Sequence, residues 1–210
     1  MFLIEQIDNI IQLAALLVLT VLAFYKGMTT RKRIWALLCM FYGVAALGNL
    51  YWFLHMIIYS ETPYYDFIPD FCWISAFMFL ILLLLNIRDR EWDWKRHKFL
   101  WLIPVFTVGM AVFYMQWGEH LTNIVYAVFM TVLIFCSLEG YLHTEKKTGK
   151  HDLYLISMLF CLAEYALWTS SCLPWEFPVF DPYYAFDILL TLIYVFFYPA
   201  AGKAAHDELY

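Results

Sequence analysis

The sequence predicts an all-α fold: a polytopic membrane protein whose residues 1–210 form one bundle of seven transmembrane helices. Its N-terminus is expected outside and its C-terminus in the cytoplasm. Three observations carry this expectation. The chain is 64% apolar and 21% aromatic, whereas a soluble domain runs near half apolar. The apolar excess falls in blocks as long as a bilayer crossing needs, roughly 20 residues per helix. All thirteen Lys and Arg sit on one side of those blocks. They are Lys26 and Arg31 to Arg33, then Arg88 to Lys98, then Lys146 to Lys150, then Lys203. The alternate connections carry none, which is the positive-inside pattern.

The first helix, near 5–25, ends at the polar run Lys26-Gly27-Met28-Thr29-Thr30-Arg31. Its start lacks a basic n-region and a small-residue cleavage site, so the segment is expected to be retained. The second, near 34–58, carries Gly43, Ala45, Ala46 and Gly48, a small-residue stripe that permits close helix packing. Thr62, Pro63 and Pro69 bracket entry to the third, near 67–87. A charged turn with Trp92 and Trp94, suited to the membrane interface, leads to the fourth, near 99–116, which holds Pro104. The fifth spans 121–143. Lys146 to Lys150 link it to the sixth, near 152–172. The longest outer loop, 173–183, holds Pro174, Pro178 and Pro182 among Trp175, Phe177 and Phe180. That composition suits a lid over the helix mouth or an interfacial aromatic anchor. The seventh helix, near 183–201, has Pro199 close to its end. No internal repeat of the kind that builds many transporters is evident.

Several classes lack their chemistry. The seventh helix has no Lys for a retinal Schiff base, and the six His are scattered rather than paired as zinc ligands. There is no Gly-rich phosphate loop and no Ser nucleophile elbow. No cofactor or metal is therefore expected. The inner loops are short and mix acid with base, which argues against nucleic acid and for anionic inner-leaflet lipid. The spacing of the five cysteines matches no zinc or redox signature. Cys72 and Cys172 fall near outer helix ends, and whether they pair is left open. His206-Asp-Glu-Leu209 is followed by Tyr210, so it is no terminal retrieval signal. The absence of an Asn-x-Ser/Thr sequon agrees with a bacterial plasma membrane.

Ionisable groups within a span are costly and tend to line an interior or a wet cavity. Glu164 sits near the middle of the sixth helix and shares a face with Cys161 and Trp168. No mid-span Lys or Arg exists to pair with it, so its partner is a proton or a Tyr or Trp donor. Asp187 lies one turn into the seventh helix, in line with Thr191 and Tyr194. Asn49, Trp52 and His55 follow one another in the outer half of the second. Asp70 and Trp73 open the third, and Asn123 and Tyr126 the fifth. Asp70 and Asp187 also read as solvated at the interface, Asn49 and Asn123 as packing hydrogen bonds, and Glu139 as solvated at the inner end. The expected site is an outward-facing pocket floored by Glu164 and walled by Asn49, Asp70, Asp187, Trp73 and Trp168. Carboxylates, an amide and aromatic faces suit a cationic or polar small ligand.

Asn49-Leu50-Tyr51-Trp52, followed by Pro69-Asp70-Phe71-Cys72-Trp73 and a Leu-rich run to Asn86, resembles the multi-pass input domains of bacterial diguanylate cyclases and histidine kinases. The likeness covers the second and third helices. It implies a seven-helix sensor that signals through its last helix. The chain departs from that family in reaching Tyr210 with no kinase or cyclase, so the output implied is a separate cytoplasmic or membrane signalling partner. Three functions are thus expected in order. The first is a receptor-like membrane protein for a small or lipid-like ligand. The second is a small permease coupled through Glu164. The third is an enzyme acting on lipid with outer carboxylates as acid and base; no reactive constellation supports it.

Overall fold

A computed structural model describes residues 2–59, 61, 67–88, 98–117, 119–173 and 181–207, with side chains from Glu5 onward. The helices are α1 (Phe2–Thr30), α2 (Arg33–Tyr59), α3 (Phe67–Asn86), α4 (Leu102–Tyr114), α5 (His120–His143), α6 (Gly149–Cys172) and α7 (Pro182–Asp207). A 3₁₀ turn, Lys98–Trp101, leads into α4. Among the described residues there is no strand. The turn with Trp92 and Trp94 and the proline-rich segment 174–180 lie outside the described residues.

Six helices are long and apolar enough to cross a membrane. Their mid-helix side chains face outward without polar cover: Val21 is 65% exposed and Phe196 58%. Such a surface is that of a multi-pass membrane protein, because an apolar patch of this extent is unfavourable in water. The fourth expected span is shorter than 99–116. α4 proper has 13 residues, about 20 Å of helix against a hydrocarbon core of about 30 Å. Pro104 falls within its first turn, where a missing N–H costs nothing. After Tyr114 the chain tightens into turns, with the Trp117 N–H donating to the Tyr114 carbonyl. α7 runs longer than expected. It continues through Pro199 to Asp207 because Ala200, Ala201, Ala204 and Ala205 are buried against its neighbours.

In sequence α1, α2, α3, α5, α6 and α7 each pack on the next, and α7 returns to α1. α2 also touches α7 across this ring, and α4 docks on the outside against α5. The α1–α2 connection is two residues long. Arg31, in the left-handed region at φ 55°, ends α1 while its N–H still donates to the Gly27 carbonyl. The odd connections and the end of α7 share one end of the bundle, and every described Lys and Arg is there. Contacts seal that end. Lys32 donates to the Ala205 carbonyl. Arg88 meets Glu139 at 2.8 Å, and Lys203 meets Asp152 at 2.9 Å. Glu139 is therefore not solvated as expected; it is buried, bridging α5 to α3.

The middle of the bundle is aromatic. Phe41, Phe160 and Phe197 are fully buried, with ring centroids 5.3–6.0 Å apart. Phe77 meets Phe160 edge-on at 5.8 Å. These edge-to-face contacts add to area burial. They form a solid layer between the basic end and the opposite one.

Candidate functional site

Above that aromatic layer, polar side chains from four helices converge. Gln12 on α1 donates to Asp187 Oδ1 at 2.6 Å and also reaches Thr191 Oγ1 at 3.1 Å, both on α7. Asn49 on α2 donates to the Gln12 side-chain oxygen, and Trp73 on α3 donates to Asn49 Oδ1 at 3.3 Å. Asp187, only 4% exposed, is thus a buried member of a network and not an interfacial solvated group. A satisfied network of this kind holds helices in one arrangement.

The second cluster joins α4, α5 and α6. The Tyr114 hydroxyl and Thr169 hydroxyl are 2.8 Å apart, which ties α4 to α6. Asn123 donates to the carbonyls of Tyr114 and Trp117, both at 2.9 Å, so it caps the end of α4. The Tyr126 and Trp168 rings lie 4.2 Å apart, and Tyr114 meets Trp168 at 5.9 Å.

Between the two clusters lies a cavity of about 630 Å³. Asn49 and Trp52 line it from α2, Asp70 and Trp73 from α3. Glu164 and Trp168 line it from α6, and Asp187 from α7. Glu164 is the deepest carboxylate, eight residues before Cys172 and so about 12 Å down the axis from that helix end. Among the described residues none donates a hydrogen bond to it, so the expected Tyr or Trp donor is absent. His55 is the one candidate that lies elsewhere. It stands six residues after Asn49, about 240° round the helix and off the cavity face. Its ring sits between Tyr51 and Tyr59, with Nδ1 3.1 Å from the Glu61 carbonyl oxygen.

Sequence reasoning missed the contribution of α1. Glu5, Asn9 and Gln12 line the cavity. The signal was present: positions 5, 8, 9 and 12 are polar at helical spacing in a mostly apolar segment. Five carboxylates line the cavity, Glu5, Asp70, Glu119, Glu164 and Asp187, while none of the described lining residues is Lys, Arg or His. Walls of one charge sign and low polarisability focus the field, and here it attracts cations. Among the described residues no group of three His, Cys, Asp or Glu is placed to hold a metal ion. Cys72 and Cys172 are free thiols.

No family model, curated protein or solved structure matches the chain.

Proposed function

We propose that this protein is a receptor-like integral membrane protein that binds a small organic cation from the outer side and acts through a partner protein. In this reading α4 counts as a seventh crossing, the basic end faces the cytoplasm and the cavity faces outward. The observation that carries the reading is a cavity lined by five carboxylates and by tryptophan and tyrosine rings, with Glu164, its deepest carboxylate, lacking a donor among the described residues. An ammonium group there gains charge pairing and cation–π attraction together. The layer of Phe41, Phe160 and Phe197 beneath is closed, as suits a site that holds its ligand rather than passing it. Binding acts on the partner by favouring one helix arrangement, to the extent that affinity differs between the arrangements.

Titrating tetramethylammonium into the purified protein, followed by tryptophan fluorescence, tests the reading. Saturable binding is expected, weakened at least about tenfold in Glu164→Gln, because a charged partner is lost from a dry site. Equal binding by wild type and variant refutes it.

A permease coupled through Glu164 is the second reading. It is favoured by Glu164 itself, a carboxyl about 12 Å below the end of α6 with no donor among the described residues. Cation flux into liposomes that ceases in Glu164→Gln selects this reading over the receptor.

A further inference from the structure

The cavity does not end at Glu164. A narrow annex of about 20 Å³ continues from it among α3, α4, α5 and α6, sharing Tyr114, Asn123, Tyr126, Glu164 and Trp168 with the larger space. Its other walls include Phe77, Ala111, Ala127 and Met130. It adds two polar side chains, Tyr165 and Thr107, of which Thr107 is engaged by Thr131 at 2.6 Å. The annex therefore offers mainly apolar contact, with the Glu164 carboxyl at its entrance. Thr107 is fully buried and Met130 nearly so, while Ala111 and Ala127 are half-buried. A space of one or two water-sized probes is enough for a methyl or ethyl group.

Resting on the cation-binding reading above, we propose that the ligand is an alkylammonium with a short unbranched apolar arm. Its charged nitrogen lies at Glu164, beside the Tyr126 and Trp168 rings. Its arm lies in the annex against Ala111, Ala127 and Phe77. The division of polarity across one carboxylate is what selects such a molecule. A bare inorganic cation leaves the annex dry and empty. A long chain meets the Phe77 wall. Small residues at 111 and 127, one from α4 and one from α5, set the depth of the slot.

The test is a titration of the full-length protein with n-alkyltrimethylammonium ions from methyl to octyl, read by tryptophan fluorescence. Affinity is expected to rise about fourfold from methyl to ethyl, then to fall at longer chains. In Ala127→Leu and Ala111→Leu, which fill the slot from different helices, the ethyl-to-methyl affinity ratio is expected to fall to about one. Retained thermal transitions in either variant show that it is folded. Three results overturn the proposal. The first is affinity that climbs steadily to octyl and ignores both variants, which is partition into detergent. The second is affinity independent of chain length, which places the ligand in the larger cavity alone and leaves the cation reading standing. The third is failure of wild type to bind tetramethylammonium, or equal binding by Glu164→Gln, which removes both.

Discussion

Gly149 shows how much a single residue decides in this bundle. It opens α6 against the last turns of α7, and a Cβ there would overlap the backbone of Ala204 and Lys203. Gly140 on α5 is as crowded, but by the ring of Tyr154. A side chain can rotate away, whereas helix backbone must shift as a body. Gly149→Ala is therefore expected to lower the melting temperature in detergent more than Gly140→Ala, at a cost of about 1–3 kcal/mol or above. Equal melting of the two variants contradicts the argument. Asn123 makes a different point. Its sequence reading as a packing hydrogen bond matches its role in capping α4, yet it also lines the cavity. Position along a span says that an amide must be satisfied. It does not say by what.

Helices were legible to within a few residues wherever apolar length decided them, as in α2, α3 and α5. They were less so where packing decided them. The expected end of α7 near 201 rested on Pro199, but one lost backbone hydrogen bond is outweighed when four alanines beyond it are buried. At α4, Pro104 and the turns after Tyr114 shorten a segment whose composition alone reads as a full span. Elements are joined at the basic end by Arg88 and Glu139, whose side chains are only 10% and 6% exposed. Removing one partner strands a buried charge, at about 3–5 kcal/mol, while replacing both by apolar residues is close to neutral. Reversible unfolding in mixed micelles is expected to show Arg88→Met less stable than the double variant Arg88→Met, Glu139→Leu. The opposite order means that Glu139 is satisfied by other groups, with His143 at 3.6 Å the first to consider.

For the whole molecule, orientation is the property that every functional reading depends on. The proposal sets the basic end in the cytoplasm, where anionic lipid and the insertion machinery hold Lys and Arg. In a protein freed of its native cysteines, a single Cys at the exposed Gln116 is expected to react with an impermeant maleimide on intact cells. A single Cys at the exposed Lys146 is expected to react only after permeabilisation. Reversed labelling inverts the molecule and turns the cavity toward the cytoplasm. The described charges divide along the same axis: cations seal one end by contact with Glu139, Asp152 and backbone carbonyls, while unbalanced carboxylates surround the cavity at the other.

Composition and charge order alone determined the helices, their alternation and the end at which polar residues gather, because hydropathy and the cost of moving cations across lipid act locally along the chain. They also indicated which face of each helix is polar, through spacing near 3.6 residues. The tertiary structure decided which of those faces meet. It closed α1 to α7, so that the stripe from Glu5 to Gln12, read in the sequence only as outer acid, became a wall of the cavity. It turned His55 away and buried Asp187 against Gln12. It left Glu164 without a described donor, and placed the apolar annex behind it. Partnership between residues 175 positions apart, as for Gln12 and Asp187, depends on the rotation and order of packed helices. No local pattern encodes that, since many arrangements satisfy the same apolar periodicity.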